Sequence, residues 1–267
     1  MPEPKSGIVG ALRRLFIRAY FVAASLFGGA LFIGLSLLAL FRLVVLRWER
    51  DRATRRWLDR WSGLMMAVLG WTVEVEHAER LVAHRPAILV GNHQSNLDIV
   101  VWAAFFPDST VIIGKKQIAL IPIFGWLFRA TGNILIDRED AAKARASIAE
   151  AASRIKREGW RVWMAPEGHR NQRPEMLPFK KGAFHLAIAA QVPVVPFVVG
   201  PLAAVLDARR LLVRPGRIQV KVLEPIPTAG MTEDDLPALL SRTRAEMDSV
   251  RHELFAEAAA GFDLRRT

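Results

Sequence analysis

The sequence predicts an α/β fold: a mixed, mostly parallel sheet covered by helices, preceded by an N-terminal membrane-associated helical segment. Three observations carry this. From Thr72 onward, short β-rich runs alternate with helical patterns, which lays helices over a sheet. Ahead of them, no charged residue occurs from Ala19 to Phe41. The polar clusters fall just after apolar strands, where ligands bind on such sheets.

The uncharged run comes first. At 1.5 Å per residue it spans roughly 35 Å, enough for the ~30 Å hydrocarbon core with some tilt. It is too long for an ordinary signal-peptide core and shows no clear small-x-small cleavage pattern, so it reads as an uncleaved anchor. A buried core helix, or a hairpin broken near Gly28–Gly29 that dips into one leaflet, fits the same residues. Arg13, Arg14 and Arg18 precede the run, and Arg42, Arg47, Arg50, Arg52, Arg55, Arg56 and Arg60 follow it. By the positive-inside tendency the C-terminal bulk is expected in the cytoplasm, at the inner membrane.

Next, Trp57, Trp61, Leu64, Val68 and Trp71 recur at helical spacing beside Arg55, Arg56 and Arg60. Indoles among arginines suit the headgroup layer, and an ordinary helix packed on the core has the same pattern. Residues 1–71 are therefore expected to form the anchor and interfacial helix, with 72–267 as the α/β domain. In that domain "TVEVE", "AILV", "TVIIG", "NILID", "RVWMA", "VVPFVVG" and "IQVKVLE" read as strands. Asp98–Phe106, Ile123–Ala130, Asp140–Glu158 and Gly182–Ala190 read as helices. A last helix opens on a Thr232/Asp235 capping box and carries Leu236, Leu239, Leu240, Met247, Val250 and Leu254 as its apolar stripe.

Composition narrows the function classes. The chain is 52% hydrophobic and carries a net charge of +11 with a pI near 10.9. Such a chain points to nucleic acid or an anionic membrane surface, and its apolar content favours the membrane. It has no cysteine, which excludes disulfides, thiolate catalysis and Cys-ligated metals. No histidine pair has metal-ligand spacing, so no metal is expected. There is no glycine-rich phosphate loop of the Walker or dinucleotide type.

The stretch "GNHQSNLDIVVW" interrupts two apolar runs with a base and an acid. Residues five apart do not share a helix face. They meet if His93 lies in the loop and Asp98 in the first turn of a helix N-capped by Ser95. Asp98 then fixes the imidazole and leaves Nε2 free as a base. Ser95-x-x-Asp98 is also a plain capping box, which needs no chemistry. Downstream, "GNILIDR" ends on Asp137–Arg138 and "APEGHR" on Glu167, Gly168, His169 and Arg170. Arginine suits bidentate phosphate contact, though each alone is more often a solvated surface charge or a salt-bridge partner. Lys180 and Lys181 border the same site or face solvent.

Together, "NHQSNLD", "GNILIDR", "PEGHR" and "VPVVPFVV" resemble, in order, the four motifs of the glycerolipid acyltransferase family, which contains the 1-acylglycerol-3-phosphate acyltransferases. The resemblance implies a membrane-bound enzyme that moves a fatty acyl group from a thioester, acyl-CoA or acyl-carrier protein, to the hydroxyl of lysophosphatidic acid, giving phosphatidic acid. It needs no bound cofactor. It makes His93 the base and Asp98 its orienter. It gives the acceptor phosphate to Arg138 and Arg170, with Glu167 and Gly168 shaping that substrate-binding loop. His169 stands where the family usually has Thr or Ser, which keeps another lyso-lipid, such as lyso-ornithine lipid, open as the acceptor. A membrane tether without activity would explain the charge and the anchor, but not four ordered motifs. The apolar segment "QIALIPIFGWLF" lines the acyl path, rests on lipid or is plain core.

Overall fold

A computed structural model describes residues 6–47, 49–136, 141–207 and 209–263. Its centre is a seven-stranded sheet of β1 (Trp71–Glu76), β2 (Ala87–Gly91), β3 (Thr110–Lys115), β4 (Ile134–Ile136), β5 (Arg161–Met164), β6 (Val194–Val199) and a last long strand, Gly216–Val222. Two short strands, β7 (Leu206–Asp207) and β8 (Leu212–Val213), pair as a separate hairpin, so the last strand is β9. The spatial order is β1-β9-β6-β2-β5-β3-β4. Five strands, β6 to β4, run parallel, while β9 pairs antiparallel with β6 and carries β1 with it in the reversed direction. The sheet is thus mixed and mostly parallel, as expected.

Central strand β2 is buried along its whole length. Its apolar run without alternation is what a strand covered on both faces requires. Ile88 and Val90 face one core layer, with α6 (Ala141–Glu158), α7 (Gly182–Ala190) and α8 (Leu236–Asp263) above them. Ala87 and Leu89 face the other layer, under α4 (Asp98–Phe105) and the N-terminal helices α1 (Ser6–Val44) and α2 (Arg50–Leu69). Every expected strand is present, with ends shifted by a residue or two; the expected end of "NILID" at Asp137 lies outside the described residues. A helix α3 (Glu79–Ala83), the β7–β8 hairpin and the 3₁₀ turn Lys116–Leu120 were not expected, because two to five residues carry no readable period. The Thr232/Asp235 capping box is present as predicted.

Helix α1 uses one narrow stripe to dock on the rest of the molecule. Phe32 meets Trp57 and Trp61 edge-on at 5.2 and 5.4 Å, and those two indoles stack at 6.3 Å. Trp61 Nε1 donates to the Gly28 carbonyl at 3.3 Å, and Tyr20 Oη donates to the Val68 carbonyl. Further along, Arg18 Nε donates to the Arg210 carbonyl in the β7–β8 turn. The other faces leave Phe16 and Leu26 more than 70% exposed. The tryptophans therefore sit in a helix–helix seam, and the wet indole edge expected at a headgroup layer is not what they present.

Deleting residues 1–46 should uncover Trp57, Trp61 and Met65, which α1 now covers. The expected product scatters light or elutes with large aggregates in detergent-free size exclusion. A monodisperse domain would mean that α1 is a tether with no packing role.

Candidate active site

The site grows out of the end of β2. Gly91 lies opposite Phe197 of β6, and an added Cβ would collide with that ring. The strand can enter its loop this close to β6 only without a side chain. The loop is then tied to the end of β6 by two amides. Asn92 exchanges both bonds with the Val199 backbone at 2.8 Å, and Gln94 Nε2 donates to the Val199 and Gly200 carbonyls at 3.0 and 2.8 Å. Gln94 Oε1 accepts the Leu202 N–H at 3.1 Å. The fourth motif thus serves as the wall to which the first is fastened.

His93 is held between these two fastened residues. Its Nδ1–H donates to Asp98 Oδ2 at 2.6 Å, leaving Nε2 for a substrate. Asp98 also accepts the Gln94 N–H on Oδ2 at 2.6 Å and the Ser95 N–H on Oδ1 at 3.0 Å. Its side chain is only 4% exposed, against 27% for the imidazole. One carboxylate closes the turn ahead of the helix and orients the imidazole. Ser95 is not the N-cap: Leu97 takes that position, and Ser95 Oγ accepts the Leu97 N–H at 3.2 Å. The Gln94 and Ser95 N–H groups are committed to Asp98 and are not open to an oxyanion.

Motif three follows β5, the strand beside β2. Gly168 turns the loop at φ 70°, a conformation that favours glycine. The Glu167 side chain is fully buried and holds its own loop from within. Its Oε2 accepts from Asn171 Nδ2 at 2.7 Å and the Leu177 N–H at 2.9 Å, and its Oε1 faces Arg251 Nη1 at 3.4 Å. Arg251 also donates to the Asn171 and Arg173 carbonyls. Burial pushes its guanidinium below the ordinary arginine value, while Glu167, then Asp248 and Glu175, pull it back up. Asn171 N–H in turn donates to the His93 carbonyl at 2.7 Å, so this buried pair braces the loop that carries His93. Arg251 was missed from sequence. Its signal was position: it replaces an apolar residue between Met247 and Leu254 on the buried stripe of α8.

Arg170 is exposed and donates to Asn96 Oδ1 at 2.8 Å, which puts it on the rim beside His93. Arg138 lies outside the described residues; β4, the strand that ends before it at Ile136, is three places from β2, roughly 14 Å at ordinary strand spacing. His169 and Lys180 line a second groove with Lys115 and the apolar Ile113, Met164 and Leu186. His93 itself opens on an apolar groove of about 730 Å³ between α1, α2 and residues 118–128. Ile118, Ile121, Phe124 and Phe128 line it, while Leu120 and Trp126 of the same segment point outward, 81% and 58% exposed. Trp102 and Trp163 wall the imidazole at ring distances of 5.2 and 6.3 Å.

The site is thus an imidazole oriented by a buried carboxylate at an apolar groove, fastened by the fourth motif and braced by the third. The Acyltransferase family model matches residues 72–200. The mouse 1-acyl-sn-glycerol-3-phosphate acyltransferase alpha is 38% identical over 73% of this chain and 68% of its own. The Haemophilus influenzae 1-acyl-sn-glycerol-3-phosphate acyltransferase is 36% identical over 76% and 83%. The crystal structure of the 1-acyl-sn-glycerophosphate (LPA) acyltransferase PlsC from Thermotoga maritima superposes with a TM-score of 0.71 at 25% identity, covering 91% of this chain and 97% of that one. The chain belongs to the acyltransferase family that contains the 1-acyl-sn-glycerol-3-phosphate acyltransferases.

Two outcomes follow from this geometry. Asp98→Asn must turn an amide N–H₂ toward one of the two backbone donors, so stability should fall by about 1–3 kcal/mol along with activity. His93→Ala keeps both backbone bonds to Asp98, so its melting temperature should hold while turnover falls. Parallel melts and rates in detergent check this. Glu167→Gln and Arg251→Met should each cost about 3–5 kcal/mol, because each leaves one buried charge alone. The double variant should cost clearly less than their sum; additive losses in a denaturation cycle would mean the pair is not coupled.

Proposed function

We propose that the protein transfers a fatty acyl group from a thioester donor to the free hydroxyl of lysophosphatidic acid, giving phosphatidic acid for phospholipid synthesis. The observation that carries this is the His93–Asp98 pair at the mouth of the apolar groove. His93 Nε2 takes the hydroxyl proton as the acceptor oxygen attacks the thioester carbonyl. Asp98 stabilises the imidazolium so formed. The tetrahedral adduct collapses with loss of the C–S bond, and the imidazolium returns the proton to the leaving thiolate. No acyl-enzyme is needed, and the chain has no cysteine to form one.

Arg170 grips the acceptor phosphate from the rim, with Arg138 as its partner, and Gly168 and buried Glu167 set the shape of that loop. The donor is acyl-CoA or acyl-carrier protein. The apolar groove takes an acyl chain, which makes residues 118–128 both its lining and, through Leu120 and Trp126, a surface for lipid. The N-terminal segment holds the site at the inner membrane, on the cytoplasmic side, against anionic lipid. From Arg18 to Ala39 α1 stays against protein for roughly 32 Å, the thickness of a hydrocarbon core. An upright span would drag the hairpin, α2 and α5 (Phe124–Ala130) into lipid, so α1 lies along the membrane face. A second acceptor class, another lyso-lipid, is favoured by one feature: His169 is exposed on the loop beside Arg170.

His93→Ala should lower turnover by about two to four orders of magnitude. Arg170→Lys replaces a planar fork with a point charge and should cost about 1.5–3 kcal/mol in kcat/KM for lysophosphatidic acid. The same variant should change kcat/KM for a neutral monoacylglycerol much less. Equal losses on both acceptors would confine Arg170 to a structural role, and a wild-type preference for the neutral or amino-acid-based acceptor would promote the second class.

A further inference from the structure

One wall of the apolar groove beside His93 is a short connecting stretch, residues 118–126, that leads from the turn after β3 into α5. Ile118, Ile123 and Phe124 line the groove, while Leu120, Ile121 and Trp126 stand 81%, 47% and 58% exposed. Ile121 does both, so the same few residues have the groove on one side and the outside on the other. At the centre of the stretch Ile123 has φ 63° and ψ −56°, and the Phe124 N–H donates back to the Pro122 carbonyl at 2.6 Å. Those angles and that bond define a γ-turn of the rare, strained hand. A β-branched residue is out of place at positive φ, where a glycine would hold the turn without strain.

The contacts that hold this turn are local and apolar. The Ile121, Gly125 and Leu127 N–H groups donate to the Ile118, Ile121 and Ile123 carbonyls, so these bonds begin and end close to the stretch itself. Gly125 packs against backbone: an added Cβ would lie 2.6 and 2.7 Å from the Ile118 and Ala119 carbonyl oxygens. Toward the protein, Phe124 meets Phe32 of α1 at 5.7 Å and Phe128 at 5.8 Å. A stretch that stores strain, bonds to itself and rests on its neighbours through rings can shift as a body, and the shift releases the strain. We propose that residues 118–126 are a door between the bilayer and the groove, through which the chain of a lipid substrate passes to His93. Phe124 and Gly125 hold it shut, and the turn at Ile123 loads it toward opening. Its outer face, Leu120, Ile121 and Trp126, stays in lipid in both positions, so opening uncovers no apolar surface to water. A lyso-lipid then reaches the imidazole without leaving the membrane. What passes through the door rests on the acyl-transfer reading; the strained, movable stretch does not.

The test has one arm without turnover and one with it. Ile123→Gly and Ile123→Ala both remove the side chain, but only glycine accepts the positive φ without strain. The closed door should therefore be favoured in Ile123→Gly over Ile123→Ala on the order of tenfold. Hydrogen exchange of the full-length protein in detergent, read by mass spectrometry, should show peptides over residues 118–126 exchanging more slowly in the glycine variant by that factor, with β2 unchanged. Gly125→Ala should do the reverse and speed exchange in this stretch alone. Equal exchange in the two Ile123 variants, or a wild-type stretch that exchanges as slowly as β2, overturns the door whatever the enzyme's substrate. In the second arm, kcat/KM for lysophosphatidic acid in vesicles should be lower in Ile123→Gly than in Ile123→Ala, again on the order of tenfold, because entry needs the open state. With a short-chain acceptor and a short-chain thioester, both dissolved in water, the two variants should differ little. The same ratio for both substrate pairs would show local fraying and overturn the route from the bilayer. A tenfold exchange difference in a protein that turns over no thioester would keep the movable stretch and remove the acyl-transfer reading instead.

Discussion

The carboxylate of Asp98 is the group on which the active end of the sheet depends. It is buried, and one side chain and two backbone N–H groups converge on it. A buried charge is tolerable only when fully hydrogen-bonded. Satisfying it forces the chain from Gln94 to Asp98 into a tight turn and sets the starting direction of α4. The same act fixes the tautomer and orientation of His93. Folding and the proposed chemistry share one constraint here, because the groups that make the carboxylate stable are the groups that orient the imidazole.

Around that turn, two long-range clasps supply rigidity. On one side Asn92 and Gln94 bind the end of β6, across 105–108 residues of sequence. On the other, α8 reaches back with Arg251 to the loop that carries Glu167, 84 residues away, and that loop donates to the His93 carbonyl. A polar network this enclosed is specific because every member needs every other. It gives the last helix of the chain a share in positioning a base near its middle.

The N-terminal helices build the other half of the site. Only with α1 seated on α2 does the groove beside His93 have two walls, since Gly28, Phe32 and Trp61 line it together with residues 118–128. The apolar residues of α1 thus divide their work. One stripe packs on protein and forms the groove, and the remaining faces stay exposed, as lipid contact requires.

By itself the sequence determined the alternation of strands and helices and the mixed α/β class. Those patterns are local, and burial on a sheet or helix stamps its period on neighbouring residues. It also marked His93, Asp98 and Arg170 as candidates through four ordered motifs that resemble one family, since locally Ser95-x-x-Asp98 reads as a capping box and Arg170 as a surface charge. Tertiary structure alone decided the strand order, the reversal of β1 and β9, and the place of Trp57 and Trp61 in a protein seam. It alone turned Glu167 inward to Arg251, and it alone set Phe124 against Phe32 of α1. Each of these is a contact between residues distant in the chain. A spacing pattern says which face a residue occupies, but the partner that meets that face is set by how the whole chain packs.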